Sequence, residues 1–444
     1  MEKPQFLIGA TSSGCGKTTF TLGLLRALYK RGLNVQPFKC GPDYLDTKHH
    51  SMAANRTSYN LDTFMSSPQH VRTIYSQQSA GADVCITEGV MGLFDGYDNM
   101  KGSSAEIAEL LGIPVILIVN ARSTAYTVAA ILYGFKHFRP NIKIAGVIFN
   151  FVSSPTHYAY LQQACHDAGV ESLGYLPKCS DIEIPSRHLG LNIDSEYCFH
   201  NFADKIATQI EKTVLIDKIL GLTLKQTPQA TDIPHASNKP SMRIAVAKDE
   251  AFNFVYPANI QALEQHGTIS WFSPLHDTEL PTAEFIYLPG GYPELYLPQL
   301  SDNRSMKQSI LDYCQNDGLL LAECGGMMYL CDAIRNEQGE HFPMCGFLSQ
   351  TATMENMKLK LGYRNVAIGS HTFHGHEFHY SHIIPEENPI PAIGRCLNAK
   401  NNIVDTLIYR KNKVTASYIH FYSAETGHSL LDVAQASEDR KSVV

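Results

Sequence analysis

At 444 residues, 44% of them hydrophobic, the chain is too long for one ordinary core, and we expect two or three domains. The net charge of −7 gives no electrostatic reason to expect nucleic acid as a partner, and the absence of a run of about 18 apolar residues argues against a membrane span. The eleven cysteines form no CxxC pair and the first residues show no secretory signal, which favours a reduced, cytoplasmic protein.

Short apolar runs alternate with helical patterns through the first half of the chain. This alternation predicts a doubly wound α/β domain with a parallel sheet. Helices are expected at Thr18–Lys30 and Ser104–Leu111. The predicted strands, each apolar enough to be buried on both faces, are Phe6–Ala10, Val35–Cys40, Val84–Glu88, Val115–Asn120 and Ile144–Phe149.

The pattern weakens from about Thr213 to Met242, where the chain becomes polar and contains prolines. Such a stretch is typical of an interdomain linker. We therefore place a first domain at residues 1–222, a linker at 223–242 and a second domain at 243–444. The second domain resumes the strand–helix rhythm, with strands predicted at Arg243–Ala247, Phe285–Leu288, Leu319–Ala322 and Val414–Ile419.

A glycine-rich turn between the first strand and the first helix predicts a phosphate site. The sequence from Gly9 is GATSSGCGKTT, so Lys17 would reach the β- and γ-phosphates and the Thr18 hydroxyl would bind Mg²⁺. The strict motif has glycine where this chain has Thr11. An ordinary glycine-rich turn is the alternative, but the GKTT core in this context favours a nucleotide.

Acidic residues at the ends of two neighbouring strands could complete this site. Asp43 and Asp46 follow the second predicted strand, and Glu88 ends the third. Open α/β sheets bind ligands at the carboxyl ends of their strands, where a carboxylate can hold Mg²⁺. For either aspartate alone, a turn or a helix cap is the simpler interpretation. Glu88 is harder to dismiss because a charge ending an apolar strand needs a partner, whereas Asp95, in an Asp-Gly pair, is a weaker candidate.

The second domain contains a strand that ends abruptly in Cys324-Gly-Gly before a helical pattern. A strand, tight turn and helix in this order exposes a nucleophile and leaves the following N–H groups to form an oxyanion hole. The nearby helix N-terminus is expected to lower the pKa of the thiol. A second glycine turn at Gly290–Gly291 could donate another N–H group, and His420, at the end of a late strand, could act as general base.

The cluster of histidines from His374 to His382 could suggest a metal site. An alternating strand would place His374, His376 and Phe378 on one face and Glu377 and His379 on the other. No tetrahedral set of ligands results. A strand that contacts substrate is therefore favoured over zinc.

These motifs together closely resemble the cobyrinate a,c-diamide synthase family of cobalamin biosynthesis. The resemblance covers the chain from Gly9 to about Ser423. It implies a P-loop NTPase-like, dethiobiotin-synthetase-like domain that uses ATP and Mg²⁺, followed by a flavodoxin-like class I glutamine amidotransferase domain. The motifs that carry it are, in chain order, GKTT, KCGPDYLD, TEGVMGLFDG, LPGGYPE, AECGG, GYR, GHEFHYS and SYIHFY.

The resemblance also implies roles for individual residues. Cys324 would be the glutaminase nucleophile, activated by His420, with oxyanion N–H groups from Gly291 and Gly325. Asn150 resembles the adenine-recognising asparagine of the family. The phosphate loop would be Ser13, Gly14, Cys15, Gly16, Lys17, Thr18 and Thr19; the Mg²⁺ positions Thr18, Asp43, Asp46 and Glu88; and the stretches facing the tetrapyrrole carboxylates Tyr44, Leu45 and Asp95.

The resemblance implies a cobyrinate-type tetrapyrrole and L-glutamine as substrates and leaves a homodimer open. One departure from the wider amidotransferase superfamily is Tyr422, which stands where a glutamate usually follows the histidine. The site is therefore expected to be a Cys–His dyad, with the group that orients His420 unidentified. Two alternatives remain: the same chemistry on hydrogenobyrinate or nickel-sirohydrochlorin, and a P-loop partitioning-type ATPase without glutaminase activity.

Overall fold

The computed structural model describes residues 2–178, 196–226, 241–385, 388–425 and 428–437. The chain divides into two compact units, Met1–Thr63 with Ser67–Asp232, and Phe64–Ser66 with Ile233–Val444. Among the described residues no helix has the length and hydropathy needed to cross a membrane.

The described strands of the first unit form one eight-stranded sheet in the order β3-β2-β4-β1-β5-β6-β7, with β8 added beside β1. All pairs are parallel except β1 with β8. The strands are β1 (Glu2–Ala10), β2 (Val35–Cys40), β3 (Tyr59–Leu61), β4 (Val84–Glu88), β5 (Val115–Asn120), β6 (Ile144–Val152), β7 (Ser172–Pro177) and β8 (Leu224–Gln226). The helices are α1 (Lys17–Lys30), α2 (Tyr44–Ala54), α3 (Pro68–Ser79), α4 (Ser104–Leu111), α5 (Val128–Phe138), α6 (Pro155–Asp167), α7 (Glu196–Thr213) and α8 (Ile216–Leu222).

The central strands of this sheet are buried on both faces, as their continuous apolar sequences require. Helix α1 packs closely on α7, since a β-carbon at Gly23 would lie 2.2 Å from Cγ2 of Ile206. Phe6 and Phe20 are fully buried in the same core. Each such side chain stabilises the fold by about 2–3 kcal/mol.

The five strands predicted in the first half are all present, and four of them begin at the predicted residue. Three residues near the start of the predicted linker form a strand in the structure. Leu224–Gln226 forms β8, which pairs antiparallel with β1, and Gln5 donates a side-chain hydrogen bond of 2.8 Å to the carbonyl oxygen of Lys225. The backbone polar groups of this segment are thus used in the sheet, and residues 227–240 of the predicted linker lie outside the described residues.

The described part of the second unit is built on a six-stranded sheet in the order β11-β9-β12-β14-β23-β22, parallel except for β22. Two four-stranded sheets, β16-β15-β17-β20 and β21-β18-β19-β24, and the pair β10-β13 complete it. The strands are β9 (Met242–Ala247), β10 (Phe252–Phe254), β11 (Gly267–Phe272), β12 (Phe285–Leu288), β13 (Gly290–Gly291), β14 (Leu319–Glu323), β15 (Cys331–Arg335), β16 (His341–Pro343), β17 (Leu348–Thr353), β18 (Lys360–Ile368), β19 (His371–His379), β20 (His382–Ile383), β21 (Arg395–Asn398), β22 (Ile408–Lys411), β23 (Val414–Ser417) and β24 (His420–Tyr422). The helices are α9 (Pro257–Glu264), α10 (Leu297–Asp302), α11 (Arg304–Gln315), α12 (Gly325–Leu330) and α13 (Leu430–Gln435), with a 3₁₀ turn at Pro293–Leu295.

The strand predicted at Val414–Ile419 ends two residues earlier in the structure, at Ser417. Val414–Ser417 belongs to the six-stranded sheet, whereas His420–Tyr422 crosses into a four-stranded sheet beside β19. The strand predicted over the histidine cluster is present as β19, with His376 directly opposite His420. This crossing brings the late histidine back toward the end of β14, where the cysteine turn begins.

Candidate active sites

The phosphate loop connects β1 to α1 and turns on two glycines. Gly14 has φ 74° and Gly16 has φ 88°, a region that side chains rarely adopt. A β-carbon at residue 16 would also lie 2.0 Å from Nδ2 of Asn150. That amide donates a hydrogen bond of 2.9 Å to the carbonyl oxygen of Cys15. The loop therefore closes tightly in front of the 14-residue helix α1, where free amide groups and the helix dipole attract anions.

The side chain of Cys15 is turned into the protein and is 1% exposed. Its sulfur lies 3.5 Å from Oγ1 of Thr11 and 3.3 Å from Oγ of Ser12. Burial raises the pKa of this thiol, but the hydrogen bonds from Ser12 and Thr11 outweigh it and leave the pKa below its usual value. Thr11, which stands where the strict motif has glycine, thus has a local role within the loop.

The first two residues of α1 face the end of β4. Nζ of Lys17 donates a hydrogen bond of 2.5 Å to the carbonyl oxygen of Met91, and burial lowers the pKa of its amine. Oγ1 of Thr18 donates a hydrogen bond of 2.7 Å to Oε1 of Glu88. A cation that prefers oxygen ligands finds both a hydroxyl and a carboxylate here.

Glu88 is fully buried among cationic and polar groups. Nζ of Lys39 lies 3.0 Å from Oε1 of Glu88 and 2.7 Å from Oδ2 of Asp46. Nε2 of His50 lies 2.6 Å from Oε2 of Glu88. Burial alone would raise the pKa of Glu88, but Lys39 and then His50 hold it well below the usual value. Burial alone would lower the pKa of the Lys39 amine, but Asp46 and then Glu88 raise it above its usual value.

The Mg²⁺ site expected here fits the donor chemistry of Thr18 and Glu88. Among the described residues no group of three or more His, Cys, Asp or Glu side chains has the arrangement of a metal site. Mg²⁺ bound together with a nucleotide needs no such group, because it takes one or two protein oxygens and completes its shell with phosphate oxygens and water. Asp46, the third oxygen donor of the prediction, is paired with Lys39.

The remaining residues predicted for this half lie in two turns. Asp43 caps α2, its Oδ1 accepting a hydrogen bond of 3.0 Å from the amide of Asp46. Tyr44 is buried and Leu45 half-buried at the start of the same helix. Oδ2 of Asp95 accepts a hydrogen bond of 3.0 Å from the amide of Gly92. Both aspartates therefore have a structural function, in addition to any contact with substrate.

The cysteine turn of the second unit has strained geometry. Cys324 lies between β14 and α12 with φ 45° and ψ −106°. Its amide donates a hydrogen bond of 2.7 Å to the carbonyl oxygen of Ser417, and its carbonyl oxygen accepts one of 3.0 Å from Met328. A non-glycine residue with positive φ is kept only where its surroundings enforce it, and such residues cluster at active sites. This is the geometry of a nucleophile elbow.

The thiol of Cys324 is 5% exposed, and burial followed by the nearby Glu294 raises its pKa well above the usual value. The prediction that the helix N-terminus lowers the pKa of this thiol is therefore wrong. Helix α12 has only six residues, and its dipole lowers the pKa of the thiol by less than burial raises it. A reactive thiolate at Cys324 would therefore need a base that takes its proton.

His420 is placed to be that base. A β-carbon at Gly290 would lie 2.2 Å from Cε1 of His420 and 3.3 Å from Cβ of Cys324, so both side chains lie close to this glycine. The imidazole packs on the rings of Phe254 and His376, with centroid separations of 3.9 and 5.2 Å. Burial, followed by the neighbouring His376, holds the pKa of His420 well below the usual value, so the ring is neutral and able to accept a proton.

The two predicted oxyanion donors lie beside each other. A β-carbon at Gly325 would lie 3.2 Å from the amide nitrogen of Gly291 and 2.7 Å from Cδ of Pro293. The amide nitrogen of Gly291 therefore lies close to Gly325, the residue that follows Cys324. Two N–H groups converging near a reacting carbonyl carbon stabilise the negative charge that develops on its oxygen.

The two halves of the chain match two families of protein domains. Residues 6–191 match the CobQ/CobB/MinD/ParA nucleotide binding domain, and residues 243–427 match the CobB/CobQ-like glutamine amidotransferase domain. The cobyrinate a,c-diamide synthase of Salmonella typhimurium is 40% identical over 95% of both chains. Those of Leptospira interrogans and Syntrophotalea carbinolica are 38% and 39% identical, over 95% and 96% of both chains.

The chain belongs to the cobyrinate a,c-diamide synthase family. It is therefore a ligase that forms C–N bonds with glutamine as nitrogen donor, and its nucleotide-binding domain implies the use of ATP. The predicted fold, a P-loop NTPase-like domain followed by a class I glutamine amidotransferase domain, is confirmed.

Three charged or titratable residues of the two sites were missed in the sequence. Lys39 stands opposite Glu88 in the register of β2 with β4, which only the sheet reveals. His50 lies four residues after Asp46 on α2, so helical spacing alone could have suggested that both face the same side. Glu323, the residue before the nucleophile, looks in the sequence like the end of an apolar strand and is discussed below.

Proposed function

We propose that this chain amidates the a and c side-chain carboxylates of cobyrinate in cobalamin biosynthesis. ATP would activate each carboxylate as an acyl phosphate, and ammonia released from glutamine would displace the phosphate. Support for this substrate comes from the cobyrinate a,c-diamide synthases that are about 40% identical to this chain over nearly its whole length. The observation that carries the chemistry is that one chain combines a phosphate loop with a cysteine elbow facing a neutral histidine.

In the first unit, the loop from Ser13 to Thr19 would bind the nucleotide phosphates through its backbone amides and Lys17. Thr18 and Glu88 would hold Mg²⁺, with Asp43 and Asp46 as the further acidic positions of the proposal. The ion would neutralise charge on the phosphate oxygens. Tyr44, Leu45 and Asp95 would face the tetrapyrrole, and Asn150, which braces the loop in this structure, would also contact adenine.

Lys39 provides a second cation beside Lys17 in the proposed nucleotide site. Its ammonium lies between Glu88 and Asp46 and is buried. A fixed positive charge in a dry site stabilises a transferring phosphoryl group without reorganisation. We propose that Lys39 keeps both carboxylates ionised and in place before the nucleotide binds.

In the second unit, His420 would take the proton of Cys324, and the thiolate would attack the side-chain amide carbon of glutamine. The amides of Gly291 and Gly325 would stabilise the resulting oxyanion. The C–N bond then breaks, the proton on His420 passes to the leaving nitrogen, and ammonia is released. Water, deprotonated by His420, hydrolyses the thioester to glutamate and regenerates the thiol.

The experiment that tests the proposed substrate is a panel of tetrapyrroles. The full chain is incubated with ATP, Mg²⁺ and glutamine and with cobyrinate, hydrogenobyrinate or nickel-sirohydrochlorin, and the products are analysed by mass spectrometry. We expect two amides on cobyrinate at the highest kcat/KM. A higher kcat/KM with either alternative would show that this compound, and not cobyrinate, is the preferred substrate. If none of the three is amidated, a tetrapyrrole substrate of this type is refuted.

A further inference from the structure

The Nδ1 nitrogen of the His420 imidazole has no hydrogen-bond partner that the sequence would predict. Nδ1 is buried and makes no hydrogen bond to any residue that the structure describes. Tyr422 occupies the position where the wider superfamily carries a glutamate. A buried polar atom without a partner is unfavourable and usually has a functional explanation.

Glu323, the residue before the nucleophile, faces this nitrogen. Its Oε2 lies 3.8 Å from Nδ1 of His420, and both side chains are 1% exposed. This separation is longer than a hydrogen bond but within the range of an ion pair.

The carboxyl group of Glu323 is held in a fixed orientation. Oε2 accepts a hydrogen bond of 2.7 Å from the hydroxyl of Tyr287, and Oε1 accepts one of 3.0 Å from the amide of Phe421. Phe421 directly follows His420, so this second bond ties the carboxyl group to the strand that carries the histidine. Strand β14 thus ends in two adjacent functional groups, the carboxyl group and the nucleophile.

We propose that Glu323 is the positioning residue of His420 and supplies the carboxylate that the usual position lacks. Its carboxylate accepts a hydrogen bond from the protonated Nδ1, which leaves Nε2 as the nitrogen that can take the proton of the Cys324 thiol. When the imidazolium forms, the carboxylate stabilises its charge, as the aspartate does in a Ser-His-Asp triad. The proposal rests on the proposed glutaminase role of Cys324.

This arrangement makes the glutaminase reaction depend on pH. Burial raises the pKa of Glu323 to about 8, although Tyr287 and the Phe421 amide partly oppose this effect. Among the described residues, the other titratable groups that act on the pair are Cys324, beside the carboxyl group, His376, which stacks on His420, and His379. Because the carboxylate is the active form, the rate of glutamine hydrolysis should rise as the pH approaches and passes 8.

The test replaces the carboxylate while keeping its shape. In Glu323→Gln, an amide N–H group facing Nδ1 would favour the tautomer with its proton on Nε2, which cannot accept the thiol proton. We expect kcat for glutamine hydrolysis to fall by about 10²- to 10⁴-fold, with KM for glutamine unchanged because Glu323 does not contact substrate. The rise of activity toward pH 8 should disappear. Glu323→Asp, which keeps the charge, should recover part of kcat and the pH-dependent rise.

Tyr422→Phe is the matched control, since it alters the position where the glutamate is missing and keeps the ring. It should change kcat by less than about threefold, as expected for a side chain outside the Glu323–His420 pair. The inference is overturned if Glu323→Gln keeps the wild-type kcat and pH profile. It is also overturned if KM and kcat change together and Glu323→Asp recovers neither, because that pattern indicates a structural role.

A parallel Cys324→Ala variant separates this inference from the proposed function. If glutamine hydrolysis persists in Cys324→Ala, the nucleophile itself is wrong and both proposals fail. If Cys324→Ala is inactive with glutamine while Glu323→Gln is fully active, only the role of Glu323 fails.

Discussion

Three buried glutamates show how neighbouring groups set the charge of a side chain. Glu88 faces Lys39 and His50, and its pKa is held well below the usual value against the effect of burial. Glu377 faces His379, Thr406 and Arg364, which lower its pKa to about 2 against the same effect. Glu323 has only neutral hydrogen-bond donors, so burial dominates and raises its pKa to about 8. Equal burial thus gives opposite charge states, depending on whether a cation is present.

Glu377 allows this principle to be tested on stability. Its folded-state pKa of about 2 lies below the ordinary value of 4.5. The stabilisation is therefore fully present above pH 4.5 and is lost as the pH falls toward 2. The shift corresponds to about 3 kcal/mol. Glu377→Gln should lower the free energy of unfolding by about this amount at neutral pH and should remove this part of the acid sensitivity.

The fluorescence of Trp271, the single tryptophan of the chain, reports unfolding of the second unit in denaturant titrations. The matched control is Asp405→Asn, which removes an exposed carboxylate paired with Lys360 at 2.9 Å. It should lower the free energy of unfolding by less than about 1 kcal/mol. Parallel stability curves for Glu377→Gln and the wild type between pH 4.5 and 2 would contradict the assigned role.

At the scale of elements, the phosphate loop depends on the backbone of Gly16. Alanine there would be strained by the φ of 88°, and its β-carbon would collide with Asn150, which braces the loop. We expect Gly16→Ala to weaken ATP binding and slow ammonia-dependent amidation on the order of a hundredfold, since small displacements in such sites have large effects on rate. Calorimetric titration with ATP and Mg²⁺ measures the binding, and product analysis measures the rate.

Gly32→Ala is the control for strain alone. Gly32 has φ 81°, close to that of Gly16, but a β-carbon there would meet no atom within 4 Å. Both variants should lose about 1 kcal/mol of stability from the positive φ, while Gly32→Ala should keep the wild-type affinity for ATP. Equal losses of affinity in the two variants would show that general destabilisation, and not the shape of the loop, causes the defect.

The sequence predicts local elements well and contacts between distant elements poorly. Val35–Cys40 and Ser104–Leu111 were predicted with their observed bounds because composition and capping decide them locally. The crossing of His420 into a second sheet was missed because no local signal marks where a strand leaves one sheet for another. Lys39 and Glu323 were missed for the same reason, since each gains its partner through sheet register or packing.

At the scale of the whole molecule, the two proposed chemistries use separate sets of residues. One set surrounds the phosphate loop and contains Lys17 and Glu88, and the other surrounds the cysteine elbow and contains Cys324 and His420. Each set lies within its own unit. The family match covers each half with a different domain. Loss of one chemistry should therefore leave the other measurable in the full chain.

Two variants test this separation with two nitrogen sources. Cys324→Ala should form no amide from glutamine but should form it from added ammonia, because activation of the carboxylate does not need the thiol. Lys17→Ala should lose amide formation from both sources, on the order of a hundredfold or more, because a cation aimed at the transferring phosphoryl group is missing. Product formation with glutamine or ammonium chloride is measured for each variant. If folded Cys324→Ala makes no amide from ammonia, or if Lys17→Ala is impaired with glutamine alone, the two chemistries are not separate and the proposed division of function is wrong.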